Sequence, residues 1–442
     1  MKIQLSDHFS YKKLIQFTIP SIVMMLFTSI YGVVDGLFVS NVVGETAFAS
    51  INLIMPYCMI FSAIGSLFGV GGSALVAMVK GQGKADKANS IFSMLVYSMI
   101  GIGIILGIIA QVFLPTAARL FGASEGMMDT CIAYGRIFLM TLPAFLLQYG
   151  FQSFLITAER PNLGLAFTAI AGVTNMILDW LFIVVFEWGV AGAAAATCIG
   201  QLVGGIGPLL YFIFARNCSL KLVRTRFMPR EFLKAASNGA ADCITNIAMS
   251  VVAIVFNWQL MRYIGEYGVS AYGIIMYVNF VFVAVYLGYA MGVAPVISYH
   301  YGTGEKEELQ GLYKKSLVMI FVASLALTGI ALLTARFIAS IFAGYDPEFL
   351  AISTSALRLY SLSYFFAGIN IFGSNLFAAL NNGLISGILS GLRMFVFQLI
   401  AVFVLPLILG KDGIWLSMLA AELGVFIITL VVLKRQKARY GY

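Results

Sequence analysis

From Asn89 to Pro115 the chain carries no charged side chain, and apolar runs of this kind recur along its whole length. A helix that crosses the hydrocarbon core of a bilayer needs about 20 apolar residues. Lipid offers no partner to a free backbone N–H or C=O, so a spanning segment must be a helix or part of a closed barrel. These runs are too long and too continuously apolar for barrel strands. Splitting the sequence at charged or Gly/Pro/Asn breaks predicts twelve helices, at about 14–40, 48–79, 89–114, 131–156, 162–187, 190–214, 240–262, 270–299, 316–343, 354–379, 384–409 and 413–433. A soluble chain is roughly half apolar and a quarter charged; this one is 61% hydrophobic and 10% charged, with a mean hydropathy of +0.95. The fold class is an all-α polytopic membrane protein embedded in a lipid bilayer.

An even number of spans puts both termini on one side. Most of the 27 Lys+Arg fall on that side, among them Lys12, Lys13, Lys80, Lys84, Lys87, Arg224, Arg226, Arg230, Lys434 and Arg435. Acids such as Glu45, Glu125, Glu187, Glu266 and Asp346 dominate the other connections. The positive-inside rule therefore places both termini in the cytoplasm, and topology accounts for the net charge of +8 without a nucleic-acid partner. The longest hydrophilic stretch, near residues 215–235, reads as a cytoplasmic linker between an N-terminal six-helix bundle (1–214) and a C-terminal one (236–442).

The halves repeat each other. Gly81-Gln-Gly83 matches Gly302-Thr-Gly304, and 302 − 81 = 221; the same offset pairs Gly44-Glu45 with Gly265-Glu266, Phe151 with Phe372, Ala158 with Ala379, Leu163 with Leu384, and Gly192 with Gly413. With six spans per half, both halves enter the membrane from the same side, so the repeat is parallel. Such repeats build one class of secondary transporter, with the substrate held between halves that rock. Gly383, Gly387 and Gly391, four residues apart along one helix face, predict close helix packing.

No P-loop, GxSxG or HExxH is present, and the five cysteines form no CxxC pair. An enzyme is not expected, nor is a resident cofactor. The informative residues are the few polar ones inside the spans, because burying them in lipid is costly. Asp35, Asp179 and Thr197 lie about five, eight and seven residues from the outer ends of their spans, hence at one depth at ~1.5 Å per residue. Asn175 is one turn from Asp179 on the same face. Together they form an oxygen-rich cluster suited to Na⁺ or to a proton. At +221 stand Phe256, Val396, Ile400 and Met418, so the cluster belongs to one half alone. Arg393 and Glu422 fall at equal depth on consecutive antiparallel spans, which predicts an ion pair or a pair of substrate contacts, and Glu422 is the repeat partner of Gln201. Asp242 is expected near the start of the seventh span, close to cytoplasmic water, with no role.

The segment Ile30-Tyr-Gly-Val-Val-Asp-Gly-Leu-Phe-Val-Ser-Asn-Val-Val-Gly44 resembles the first-span signature of the multidrug and toxic compound extrusion (MATE) family. Asn175-Met-Ile-Leu-Asp179, followed by Gly189-Val-Ala-Gly-Ala-Ala-Ala-Ala-Thr197, is similar to its fifth- and sixth-span pattern, and Ala421-Glu422 resembles the last span of its MepA-like branch. The resemblance implies a functional monomer in a prokaryotic plasma membrane. It implies export of varied, often cationic, small organic compounds against entry of H⁺ or Na⁺, with Asp35, Asn175, Asp179 and Thr197 as the coupling cluster. Gln201, Asn246, Arg393 and Glu422 are then the candidate substrate contacts. Asn246 stands in the span where some branches carry an acid, and Ala241 where a proline is expected. A flippase or exporter of a lipid-linked or anionic substrate is the alternative, with Arg393 as its candidate residue.

Overall fold

A computed structural model describes residues 3–38, 45–121, 123–215, 218–344 and 346–442, with side chains except at 31–38, 45–49, 52, 56, 246, 247 and 250. The helices group into twelve units, eleven of which pass as candidate membrane spans by length and composition among the described residues, with α9 the twelfth. The first half contains α1 (Tyr11–Phe38), α2 and α3 (Glu45–Met59, Ser62–Gly81), α4 (Ala85–Leu120), α5 and α6 (Glu125–Met140, Leu142–Thr157), α7 (Pro161–Asp179) and α8 (Gly189–Phe214). The second contains α9 (Pro229–Tyr263), α10 (Glu266–Thr303), α11 (Lys306–Ala343), α12 and α13 (Pro347–Ser361, Tyr364–Ala379), α14 and α15 (Gly383–Gly391, Gln398–Leu409) and α16 (Lys411–Tyr440). Every predicted span is present. The helices overrun the apolar runs at their polar ends, most of all α9, because a backbone leaving the membrane keeps its hydrogen bonds in water. Nine helices among the described residues are long and apolar enough to cross, and α5/α6 and α12/α13 cross as pairs bent by 58° and 43°. Pro143, at the start of α6, has no N–H to continue α5.

The parallel repeat is visible in the backbone. Left-handed residues recur in register: Gly83 (φ 75°) with Gly304 (φ 79°), and Gly189 (φ 54°) with Gly410 (φ 62°), both 221 apart (304 − 83, 410 − 189). Glu159 (φ 62°) and Asn381 (φ 57°) are 222 apart. The fifth and eleventh units also share a device. Each widens into one π-helical segment, Trp180–Val185 after α7 and Leu392–Phe397 between α14 and α15. Such segments re-aim side chains and are frequent at functional sites.

The halves meet through glycines on the face that carries both termini, the terminal face. A Cβ on Gly81 would lie 2.1 Å from the Tyr299 carbonyl oxygen, and one on Gly302 would lie 2.1 Å from that of Met78, so the two repeat-related glycines pack across the pseudo-twofold. Deeper in, Gly71 and Gly239 bring α3 and α9 backbone to backbone, and Gly288 and Gly292 do the same for α10 against α1. The halves are thus closed together on the terminal face. Gly383 meets the Ser237 carbonyl, while Gly387 and Gly391 face Ile244, which is the close packing their spacing predicts.

The N-terminal segment straps this face. Leu5 and Phe9 are fully buried. Leu5 N donates to Glu159 in the first half, and Phe9 N donates to Glu308 in the second, 2.9 Å away. His8 pairs with the same Glu308, and Lys315 donates to the Phe9 carbonyl. Glu308→Ala is expected to release residues 3–10 while leaving the helices intact. Hydrogen exchange of these amides should then rise about tenfold or more, a local opening and not a global one. Unchanged protection would show that Leu5 and Phe9 hold the strap without the carboxylate.

Candidate functional site

The first half encloses a cavity of about 210 Å³ between α1, α2, α6, α7 and α8. Close helix packing forms its wall: a Cβ on Gly200 of α8 would lie 3.1 Å from the Cβ of Asn175. Asn175, Thr197 and Gln201 all reach it, together with Thr28, Gln148 and Tyr149. Asn175 Nδ2 and Thr197 Oγ1 are buried with no hydrogen-bond partner among the described residues, an expensive arrangement for polar atoms. Gln201 accepts from Thr141 Oγ1 (2.7 Å), which the break between α5 and α6 delivers. Asp179 is fully buried as the last residue of α7, one turn beyond Asn175 and just before the π-helical segment. Asn175 and Thr197 therefore meet at the cavity, and Asp179 follows one turn beyond Asn175 on α7. The fourth, Asp35, sits on the described backbone of α1 but its side chain is outside the described residues, as is that of Asn246 on α9.

In the second half Arg393 and Glu422 are joined. Arg393 Nε donates to Glu422 Oε1 at 2.8 Å, with the side chains 12% and 0% exposed. Asn370 of α13 completes the carboxylate by donating through Nδ2 to Oε2 at 2.7 Å, and also reaches the Glu422 carbonyl. The charges satisfy each other inside the bundle, so neither is presented to solvent as a lone charge.

The structure moves Asp242. The helix begins at Pro229, so Asp242 lies thirteen residues in, roughly 20 Å along the axis. It is partly buried, three residues beyond the Gly239–Leu67 contact between the halves. The helix starts eleven residues before the predicted span (240 − 229) because the amphipathic first turns of α9 were read as linker. Sequence reading also missed Thr28, Gln148, Tyr149 and Asn370. Each is an uncharged polar residue on a mainly apolar helix, and only a systematic comparison of the two repeats carries a signal for them.

A model of the MatE family matches residues 20–181 and 242–404, one copy in each half. The chain belongs to the MatE family of membrane transporters and is not an enzyme. It is 25% identical over 416 residues to the multidrug export protein MepA of Staphylococcus haemolyticus (93% of this chain, 90% of that one) and 23% identical to MepA of Staphylococcus aureus strain MRSA252 (93% and 91%). The fold is shared with an outward-facing multidrug resistance MATE transporter of the MOP superfamily (TM-score 0.93, 22% identity, 99% of this chain and 98% of that one). It is also shared with a MOP superfamily transporter from Pyrococcus furiosus in which a reversed polarity of the binding pocket suggests a different function (TM-score 0.90, 22% identity, 98% of both chains).

Proposed function

We propose that this chain is a secondary active multidrug exporter that expels amphiphilic, mainly cationic organic compounds in exchange for H⁺ or Na⁺ by alternating access. The observation that carries the reading is the first-half cavity, where Asn175 and Thr197 leave buried polar atoms without partners among the described residues, one helical turn from the fully buried Asp179. The Thr197 hydroxyl oxygen so placed, with the carboxylate of Asp179 on α7 and Asp35 on the neighbouring α1, suits one exchangeable cation. Protonation or Na⁺ binding there stabilises one facing state and substrate binding the other, so each ligand shifts the same equilibrium. The halves divide as residues 1–214 and 236–442 around a linker at 215–235. The terminal face is cytoplasmic, the protein sits in the plasma membrane, and it works as a monomer. The likeness to multidrug export proteins over 93% of the chain supports the substrate class.

Gln201 contacts the transported compound in the cavity, and Asn246 stands on the helix facing the first half. Arg393 and Glu422 touch substrate only if their pair opens. The alternative, an anionic or lipid-linked substrate, needs a free cation in the cleft, and Arg393 spends its charge on Glu422. Purified protein in proteoliposomes tests the proposal. Ethidium should accumulate under an imposed pH gradient or an imposed Na⁺ gradient, one of the two sufficing. No movement under either, with folded protein, refutes cation antiport and favours the anionic substrate.

A further inference from the structure

The ion pair of the second half occupies the repeat image of the first-half cavity. Helix starts relate the halves by 222 residues (364 − 142, 383 − 161, 411 − 189), and the sequence matches relate them by 221. By these two offsets Asn370 corresponds to Gln148 or Tyr149, Arg393 to Ala171 or Gly172, and Glu422 to Gly200 or Gln201. All six of those residues line the first-half cavity. Three positions from three helices thus converge on one site in both halves, and the result holds whichever offset is used.

We propose that the second half keeps this cavity as a cation site, and that the Arg393 guanidinium fills it as a tethered, permanent ligand. The substitutions are complementary. Where the first half has Ala171-Gly172 and open space, the second inserts a side chain ending in a planar monovalent cation. Where the first has Gly200-Gln201, the second supplies a carboxylate, and the added charges cancel. The oxygen ligands of the first half are gone, since Asn175 and Thr197 become Val396 and Met418 at +221. What remains is one carboxylate and one amide, whose Oδ1 is buried with no hydrogen-bond partner among the described residues. This set lacks the several oxygens that Na⁺ takes but suits a guanidinium or amidinium, which donates to Glu422 Oε1 while Asn370 fills Oε2. The π-helical segment Leu392–Phe397 carries Arg393 and gives the widened turn from which it enters. In consequence an exchangeable cation has a place in the first half alone, and the second half is held in its occupied form throughout the cycle.

Removing the tether should expose the site. Arg393→Ala should lower the thermal midpoint of the purified protein, and millimolar methylguanidinium should restore most of the loss with a saturable dose response, as expected for a ligand that binds the folded state only. Equal concentrations of Na⁺ or urea should not, wild-type protein should not respond, and Arg393→Ala with Glu422→Gln should have lost the response. If Arg393→Ala fails to accumulate, growth with methylguanidinium in the medium should restore it. An Arg393→Ala protein that is indifferent to methylguanidinium, whether purified or in cells, overturns the proposal. So does an equal response from the double variant. None of these readouts depends on transport, so they stand apart from the test of export.

Discussion

Asp179→Asn is expected to abolish ion-coupled export, with driven accumulation falling about 100-fold or more to the level of leak, in a protein that still folds. Asp179 is 0% exposed and ends α7 where the helix widens, one turn from Asn175. The amide has nearly the same shape, so the packing against α8 survives. What disappears is a group able to take up and release a charge. An ionisable residue at this depth is costly and persists where it handles ions or protons. The second half has Ile400 at the corresponding position, so nothing there can take over. Flux under an imposed gradient, measured beside the thermal midpoint, separates lost coupling from lost fold. Wild-type driven flux from Asp179→Asn would remove the coupling cluster from this site, whatever the substrate is. Asp35→Asn should give the same loss, since a shared ion needs both carboxylates.

Gly239→Val is the second large effect. A Cβ at this position would sit 2.0 Å from the Leu67 carbonyl oxygen and 2.7 Å from its carbon, inside the α3 backbone. Real side chains do not approach so closely, and the opposing atoms are backbone with no rotamer to escape into. The variant is expected to insert and fold, because each half keeps its own core, but its halves cannot close on the terminal face. Transport should fall about 100-fold or more, as for loss of one of two alternating states. Distances between spin labels on Lys84 and Lys306 should shift to longer values. Gly273→Val is the control: a Cβ there meets nothing within 4 Å, so transport should stay near wild type. If Gly239→Val transports normally, the glycine contacts are not the closing surface.

Much of the architecture was legible because lipid removes choices. Once the apolar runs were counted, each had to be a helix, and the constant offset between Gly81-Gln-Gly83 and Gly302-Thr-Gly304 announced the duplication before any contact was known. The depth argument brought Asn175 and Thr197 to one cavity for a related reason. Helical rise is fixed, so residues at matched distances from their span ends arrive at one level. The ion pair of Arg393 and Glu422 followed from the same rule. The start of α9 was misjudged by the same reasoning, because hydropathy cannot distinguish a linker from the amphipathic opening of a helix.

The sequence by itself determined that this chain is a duplicated twelve-helix membrane transporter, and which few polar residues stand inside its apolar spans. Period, hydropathy and repeat offset are properties of the chain taken in order. Tertiary structure alone decided that the halves close on the terminal face, that Asn370 completes the carboxylate of Glu422, and that the cavity open in the first half is occupied by Arg393 in the second. Those outcomes depend on which helix faces meet, where a break such as that before Leu142 swings a half-helix, and how closely glycines let two backbones approach. No pattern along one strand of sequence encodes such distances across the bundle.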